Sequence, residues 1–327
     1  MEYKKKKHQK ILSQIQSCVE NGDRFLIATH RRVDGDAIAS ILLFADLLEK
    51  LGKTYWIVID DRIPHKFEFV KDIDKVVSYD KMEPIDPEIV AVLDASNLER
   101  IGRVGEVIPS GSTMINMDHH PGNEKFGTYN LIDIEESSTV ELVYYLYSCF
   151  DIPFNKHTAT LVFMGIMSDT GRFRFPNTTY RSFMVCAEMV KMGVSPCEVA
   201  EQLYYNHTPE TQMALAAALS SLEFHQDGTI SCMHLDNMRL GDNHLVDTEG
   251  FVDYLLQIKG TKVEFFMLEE QADSFRVSFR SKCDVDVNEI AKKFGGGGHK
   301  RASGCYVQGK LTDVKRKILD VIKGQMS

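Results

Sequence analysis

The sequence predicts an α/β protein. An N-terminal parallel-sheet domain with helices on both faces leads through a helical linker to a smaller C-terminal α/β domain. Three observations carry this. Up to about residue 190, short continuous apolar runs alternate with helical patterns, as in strands buried on both faces of a parallel sheet. Beyond residue 222 the apolar runs become better separated and more alternating. The 327 residues suit two domains of roughly 100–200 residues each. With 43% hydrophobic and 26% charged residues, the chain has the composition of a globular protein, which excludes a disordered or collagen-like one.

Residues 24–29 (RFLIAT) read as the first buried strand. Residues 37–51 are apolar almost all round and stop at Gly52, a buried helix with a glycine just past its end. Residues 54–59, 89–94 and 113–118 are further strands. A helix follows over 136–150, with Ser137, Ser138 and Thr139 as cap candidates. Residues 157–167 and 179–192 continue the helical pattern, and 196–222 reads as helical throughout. In the second half, strands are expected at 229–235, 262–268 and 275–280, and helices at 248–258, 287–294 and 311–322. The expected division is a domain over 1–190, a linker over 191–222 and a substrate domain over 223–327.

Lys plus Arg number 38 against 47 Asp plus Glu, a net charge of −9 that argues against coating long duplex nucleic acid. The imbalance is uneven. Residues 276–327 hold 12 Lys plus Arg and 5 Asp plus Glu, so an acidic first domain suits cations and a basic second domain suits an anion. The seven cysteines include Cys283 and form no C-x-x-C pair. An odd number in a long chain points to free thiols in a reducing compartment, hence the cytoplasm. No apolar stretch follows the basic residues 1–10, so no secretion signal is expected. The densest apolar segment, residues 38–48, is shorter than the ~20 residues of a membrane span and contains Asp46, so no membrane partner is expected.

The strongest chemical signal is His30-x-x-x-Asp34-x-Asp36, between a strand and a helix. Open parallel sheets build their sites at the carboxyl ends of strands. Asp94 closes the run 89–93, Asp118-His-His120 closes 113–117, and Asp169 follows the apolar run 161–167. One such residue is an ordinary turn or cap. Four apolar segments in one domain, each ending in Asp or His, indicate ion binding. Carboxylates with imidazoles and no thiolates exclude a structural zinc site and favour manganese, with magnesium, iron and cobalt also compatible. So many ligands exceed the needs of one ion with an open position. They suit two ions bridged by a shared carboxylate, about 3.5–4 Å apart, the arrangement that hydrolyses phosphate esters.

A second signal is the run Gly295-Gly-Gly-Gly298, followed by His299, Lys300 and Arg301 and preceded by Lys292 and Lys293. Glycines let a backbone approach an anion closely and turn its N–H groups toward it. A flexible linker has no need of the flanking charge. Gly296, Gly297, Gly298 and His299 are therefore candidate phosphate contacts.

These residues resemble a known family. His30-Arg-Arg-Val-Asp34-Gly-Asp36, Asp94-Ala-Ser, Met117-Asp-His-His120 and Ser168-Asp-Thr-Gly171 resemble the four motifs of the DHH phosphoesterases. Gly295 to Gly304 resembles the signature of the DHH-associated domain of the first type. The resemblance implies that His30 and Asp34 hold one ion and that Asp36 and His119 hold the other. Asp94 and Asp169 complete the set, at least one of them bridging. It implies catalytic roles for Asp118 and His120, with His120 acting in acid–base transfer or outside the ligand shell. It adds Arg280 to the phosphate contacts. Val33 stands where a proline is common and Ala39 where a glycine is common; neither change removes a ligand. In length the chain is similar to stand-alone members that degrade very short RNA and dephosphorylate adenosine 3′,5′-bisphosphate. The substrates implied are short single-stranded RNA or nucleotides, and a homodimer is compatible. Turnover of linear or cyclic dinucleotides is the alternative. A non-catalytic nucleotide-binding regulator stands further off, because a sensor has no need of the full ligand set.

Overall fold

A computed structural model describes residues 2–236, 246–282 and 285–326, with side chains from residue 7 onward. Cys283 lies outside them, and the six described cysteines are free thiols. The chain forms two compact units, Met1–Asn206 and His207–Ser327. The division falls within the span 191–222.

The first unit is built on β1 (Phe25–Ala28), β2 (Tyr55–Ile59), β3 (Val76–Ser78), β4 (Ile89–Leu93), β5 (Thr113–Asp118) and β6 (Tyr129–Ile132). All neighbours pair in parallel, in the order β3-β2-β1-β4-β5-β6. Strand order reverses between β1 and β4, where a crevice opens at the strands' carboxyl ends in folds of this type. Because side chains alternate along a strand, Phe25 and Ile27 enter one apolar cluster while Leu26 and Ala28 enter another.

The first cluster is closed by α1 (Glu2–Asn21), α2 (Gly35–Lys50), α3 (Thr139–Tyr147), α4 (Lys156–Asp169), α5 (Tyr180–Lys191) and α6 (Pro196–Tyr204). The second is closed by the 3-10 helix Leu98–Val107, through Ile101 and Val104. Three elements go beyond the sequence pattern. The edge strands β3 and β6 have three and four residues, too few for a periodic signal. Helix α1 starts in the polar basic segment, yet Leu12, Ile15 and Val19 lie on one buried stripe. Lys7 Nζ and His8 Nε2 tie this helix to the Asp133 carboxylate just past β6, at 3.0 and 2.7 Å.

Two helix boundaries differ from expectation. The span 196–222 breaks into α6 and α7 (Pro209–Leu219). Pro209 disfavours a helical residue before it, and Thr208 caps the new helix by accepting the Thr211 N–H at 3.1 Å. Helix α3 starts at Thr139 rather than at 136. Its N-cap residue Ser138 makes no side-chain cap bond. The carboxylate of Asp36 on α2 serves instead, accepting the N–H groups of Thr139 at 2.6 Å and Val140 at 3.0 Å.

The second unit holds β7 (Glu223–His225), β8 (Ile230–Leu235), β9 (Val263–Gln271), β10 (Ser274–Ser281), β11 (Gly297–His299) and β12 (Ala302–Gln308). Their order is β11-β12-β10-β9-β8-β7, antiparallel except for the parallel pair β8–β9. Along β9, Val263, Phe265 and Met267 face α8 (Val287–Lys292) and α9 (Leu311–Met326). Phe266 and Leu268 face α7 and the 3-10 helix Phe251–Gln257. The helix expected over 248–258 is thus a shorter 3-10 segment. No helix among the described residues is long and apolar enough to cross a membrane.

Candidate metal centre

Local chain geometry delivers the acidic and histidine residues to the crevice end of the first sheet. His30 lies two residues past β1, and Asp94 is the first residue past β4. Asp118 ends β5, with His119 and His120 next. Asp34 is the N-cap of α2, its Oδ1 accepting the N–H groups of Asp36 and Ala37 at 3.1 and 3.0 Å. Asp36 lies in that helix's first turn, and Asp169 is the last residue of α4. Asp94 has φ +60°, a left-handed conformation that Asp tolerates better than most residues, and it turns the chain sharply off the strand.

All six expected ligands converge. His30 Nε2 stands 3.4 Å from Asp94 Oδ2 and 3.9 Å from Asp34 Oδ2. His119 Nε2 stands 3.8 Å from Asp94 Oδ1, 3.6 Å from Asp169 Oδ2 and 4.0 Å from Asp36 Oδ2. His120 Nδ1 is 3.5 Å from Asp94 Oδ1 and 2.7 Å from Asp118 Oδ1. Within the first unit, three groups of described residues offer donor atoms within 4.8 Å of one another: His30, Asp34 and Asp94; Asp36, Asp94 and His119; and Asp94, Asp118 and His120. Asp94 belongs to all three.

The imidazoles are oriented by backbone carbonyls. His30 Nδ1 lies 2.8 Å from the Arg31 carbonyl, and His119 Nδ1 lies 3.2 Å from the Glu136 carbonyl. A carbonyl only accepts, so in each ring Nδ1 carries a hydrogen and Nε2 is turned toward the carboxylates. An Nε2 facing a carboxylate oxygen is attracted to it only through a proton or a cation between them.

The electrostatics agree. Burial, reinforced by the charges of Asp94, Asp169 and Asp34, pushes the Asp36 carboxyl well above its usual range. Burial likewise pushes Asp169 up to about 6, against the opposing pull of His119. Burial also opposes ionisation of Asp94, but the His30 hydrogen bond and the neighbouring imidazoles prevail and hold it well below the usual carboxylate range. At His120, burial favours the neutral ring, yet the Asp118 hydrogen bond and the charges of Asp118 and Asp94 together outweigh it and lift it to about 9. The second oxygen of Asp118 accepts from Asn123 at 2.7 Å.

Every ion-pair partner of Asp34, Asp36, Asp94 and Asp169 among the described residues is a histidine, not lysine or arginine. A buried carboxylate–imidazole cluster without a basic side chain to neutralise it suits divalent cations. The residues present fit a metal site of oxygen and nitrogen donors.

Some contacts had weak or no signals in the sequence. Thr139 reads there as a cap candidate, but its hydroxyl donates to Asp94 Oδ1 at 2.8 Å. Asn177, which carries no motif, donates to Asp169 Oδ2 at 3.0 Å.

In the second unit, the glycine run divides. The N–H groups of Gly295 and Gly296 close the end of α8 by donating to Lys292 and Ala291 carbonyls at 3.0 and 2.9 Å. A Cβ at Gly296 would run into the Gly304 carbonyl, and one at Gly298 (φ +143°) would meet the Ala302 carbonyl at 2.6 Å. Gly296 therefore differs from the anion cradle expected of it: its N–H is committed, and its lack of a side chain serves strand packing. Gly297 has open space on its Cβ side, with Asn288 Oδ1 its nearest neighbour at 3.8 Å. His299 ends β11 opposite Ala302. Arg280 Nε donates to Asp253 at 2.8 Å, so its guanidinium is held beside a carboxylate.

Parallel sheet, switch point and buried Asp/His cluster together define an α/β fold with a cluster that could hold metal ions. Residues 24–166 match the DHH family, N-terminal domain, and residues 239–327 match the DHHA1 domain. The bifunctional oligoribonuclease and PAP phosphatase NrnA of Thermus thermophilus is 32% identical over 305 residues, covering 92% of this chain and 90% of that protein. Its namesake in Bacillus subtilis is 29% identical, covering 87% of this chain and 90% of that protein. A crystal structure of an exopolyphosphatase-related protein from Bacteroides fragilis superposes with a TM-score of 0.87 at 23% identity, covering 97% and 96% of the two chains. The chain belongs to the DHH family.

Proposed function

We propose that the protein is a metal-dependent phosphohydrolase that degrades very short RNA to mononucleotides and dephosphorylates adenosine 3′,5′-bisphosphate. The relatives named above, similar along nearly their whole length, carry both activities in their names. One observation carries the chemistry: the two oxygens of Asp94 face different histidines, His30 and His119, as a carboxylate shared between two cations requires.

In this reading His30 and Asp34 would hold one ion and Asp36 and His119 the other, with Asp94 and Asp169 completing the set and at least one of them shared. The donor set favours manganese. Two divalent cations supply positive charge to the phosphoryl oxygens and make hydroxide available near neutral pH. The protein's own groups do the rest. Backbone carbonyls hold His30 and His119 with Nε2 turned inward, and Asp118 keeps His120 protonated, so that it can donate a proton to the departing oxygen. In the second unit Gly297, Gly298, His299 and Arg280 receive a further phosphate or the nucleotide end, with Asp253 orienting Arg280. Gly296 supports them through strand packing. Such an enzyme acts in the cytoplasm.

The test is a substrate panel with the purified chain and manganese. Initial rates are compared for RNA of two to about ten nucleotides, for adenosine 3′,5′-bisphosphate, and for linear and cyclic dinucleotides. Rates falling with RNA length, together with bisphosphate hydrolysis, support the reading. Turnover of cyclic dinucleotides alone replaces it with the second-messenger alternative.

A further inference from the structure

The turn that leads into α3 touches much of the cluster. The Glu136 carbonyl faces His119 Nδ1 at 3.2 Å. The Ser137 carbonyl accepts from Asn177 Nδ2 at 2.9 Å, and the same amide donates to Asp169 Oδ2 at 3.0 Å. The Thr139 hydroxyl donates to Asp94, while the N–H groups of Thr139 and Val140 donate to Asp36. Four of the five residues 136–140 therefore bear directly or through one amide on four of the six candidate ligands.

Something must fix that turn. Its side of the sheet is dry: Glu136, Ser137, Ser138, Thr139 and Glu141 are all buried. Glu141, one turn into α3, accepts both the Ser137 N–H, at 3.2 Å, and the Ser137 hydroxyl on one carboxyl oxygen. Tyr145, a turn further on, donates its hydroxyl to Glu136 at 3.0 Å. A carboxyl group is costly to bury, and burial here is complete. A structural helix position would be filled more cheaply by leucine. The retained acceptor points at the peptide whose carbonyl faces His119 Nδ1, and the next peptide's carbonyl holds Asn177.

We propose that Glu141 and Asn177 are positioning residues for the metal centre. Glu141 locks the 136–140 turn through Ser137. The turn then sets the ring of His119 directly and the carboxylate of Asp169 through Asn177. Neither residue touches a bound ion. This rests on the cluster being a metal centre, and it assigns function to a segment outside the ligand motifs. Groups that orient metal ligands act through geometry, so their loss weakens metal binding without removing a donor atom.

The experiment titrates manganese alone into the full chain by calorimetry, for wild type, Glu141→Leu, Glu141→Gln and Asn177→Ala. Glu141 also hydrogen-bonds the Glu136 carboxyl, and glutamine keeps an acceptor oxygen for Ser137 and a donor for Glu136, so it mimics the protonated glutamate. We expect Glu141→Leu and Asn177→Ala to bind manganese about 10–100-fold more weakly, and Glu141→Gln to match wild type. Circular dichroism and melting of the metal-free proteins establish that the variants fold. Should Glu141→Leu fail to fold, Asn177→Ala, at a less buried position, decides. Folded Glu141→Leu and Asn177→Ala with wild-type affinity overturn the proposal, as does a Glu141→Gln as weak as Glu141→Leu. A wild-type chain that takes up no manganese instead overturns the metal-centre reading itself.

Discussion

The backbone N–H of Thr139 donates to the carboxylate of Asp36, 103 positions earlier, at 2.6 Å. That oxygen also lies 4.0 Å from His119 Nε2. One carboxylate thus caps a helix and presents a donor to the metal centre, tying fold and site together. Asp36→Asn keeps one acceptor oxygen for the helix but loses the charge. The expected outcome is a folded protein that binds one manganese ion fewer and hydrolyses at least about 100-fold more slowly, beyond the usual cost of a group outside the ligand shell. Metal stoichiometry by elemental analysis after reconstitution checks it.

Asp94 stands at the intersection of three candidate ligand groups of the first unit. Asp94→Ala is expected to abolish hydrolysis while leaving the chain folded, because the side chain's neighbours are imidazoles and a hydroxyl rather than core packing. Steady-state rates with manganese and the near-ultraviolet spectrum together test this. Full activity in a folded variant would discard the two-ion mechanism.

His120 lies against Asp118 and does not need to ligate an ion to be useful. Removing a general acid typically costs about 10²–10⁴ in rate. His120→Ala should lose that much in kcat with manganese affinity unchanged, whereas His119→Ala should lose affinity as well. Parallel titrations of the two variants separate the roles; equal loss of manganese by both would make His120 a ligand.

Glu141 gives a pH signature. Burial, with the charge of Glu136 adding to it, pushes its carboxyl up to about 8. A carboxyl raised on folding favours the native state fully below its unfolded pKa of about 4.3. That contribution is lost as pH rises through about 8. The metal-free wild type should therefore lose melting temperature between pH 6 and pH 9 more steeply than Glu141→Gln, which has no proton to release. Parallel melting curves across that range count against the assignment.

The glycine run offers a contrast between neighbours. Gly296→Ala drives a methyl into the β12 backbone and should destabilise by about 1–3 kcal/mol, the range for overpacking. Gly297→Ala has room, so its stability should hold. If the open side of Gly297 receives substrate phosphate, KM rises while the unfolding midpoint in urea stays put. A Gly297→Ala enzyme with unchanged KM removes that position from the phosphate contacts.

The convergence of the candidate ligands was legible because their signal is local. In a parallel sheet the carboxyl ends of strands gather at one edge whatever the side chains are. An Asp or His just past each apolar run, such as His30, Asp94 and Asp118, is thereby aimed at a shared crevice by topology alone. Short spacings did the same for Asp34, Asp36 and His119. What the amino-acid order left open depends on contacts that no local pattern announces, at separations from 4 positions to 103. Asp36 replaces Ser138 as the cap of α3, Glu141 secures a turn that Asn177 shares, and Gly296 is small because β12 passes over it. The strands β3 and β11 exist only because a neighbour supplies their hydrogen bonds. Three residues carry no pattern of their own, so packing in three dimensions decided them.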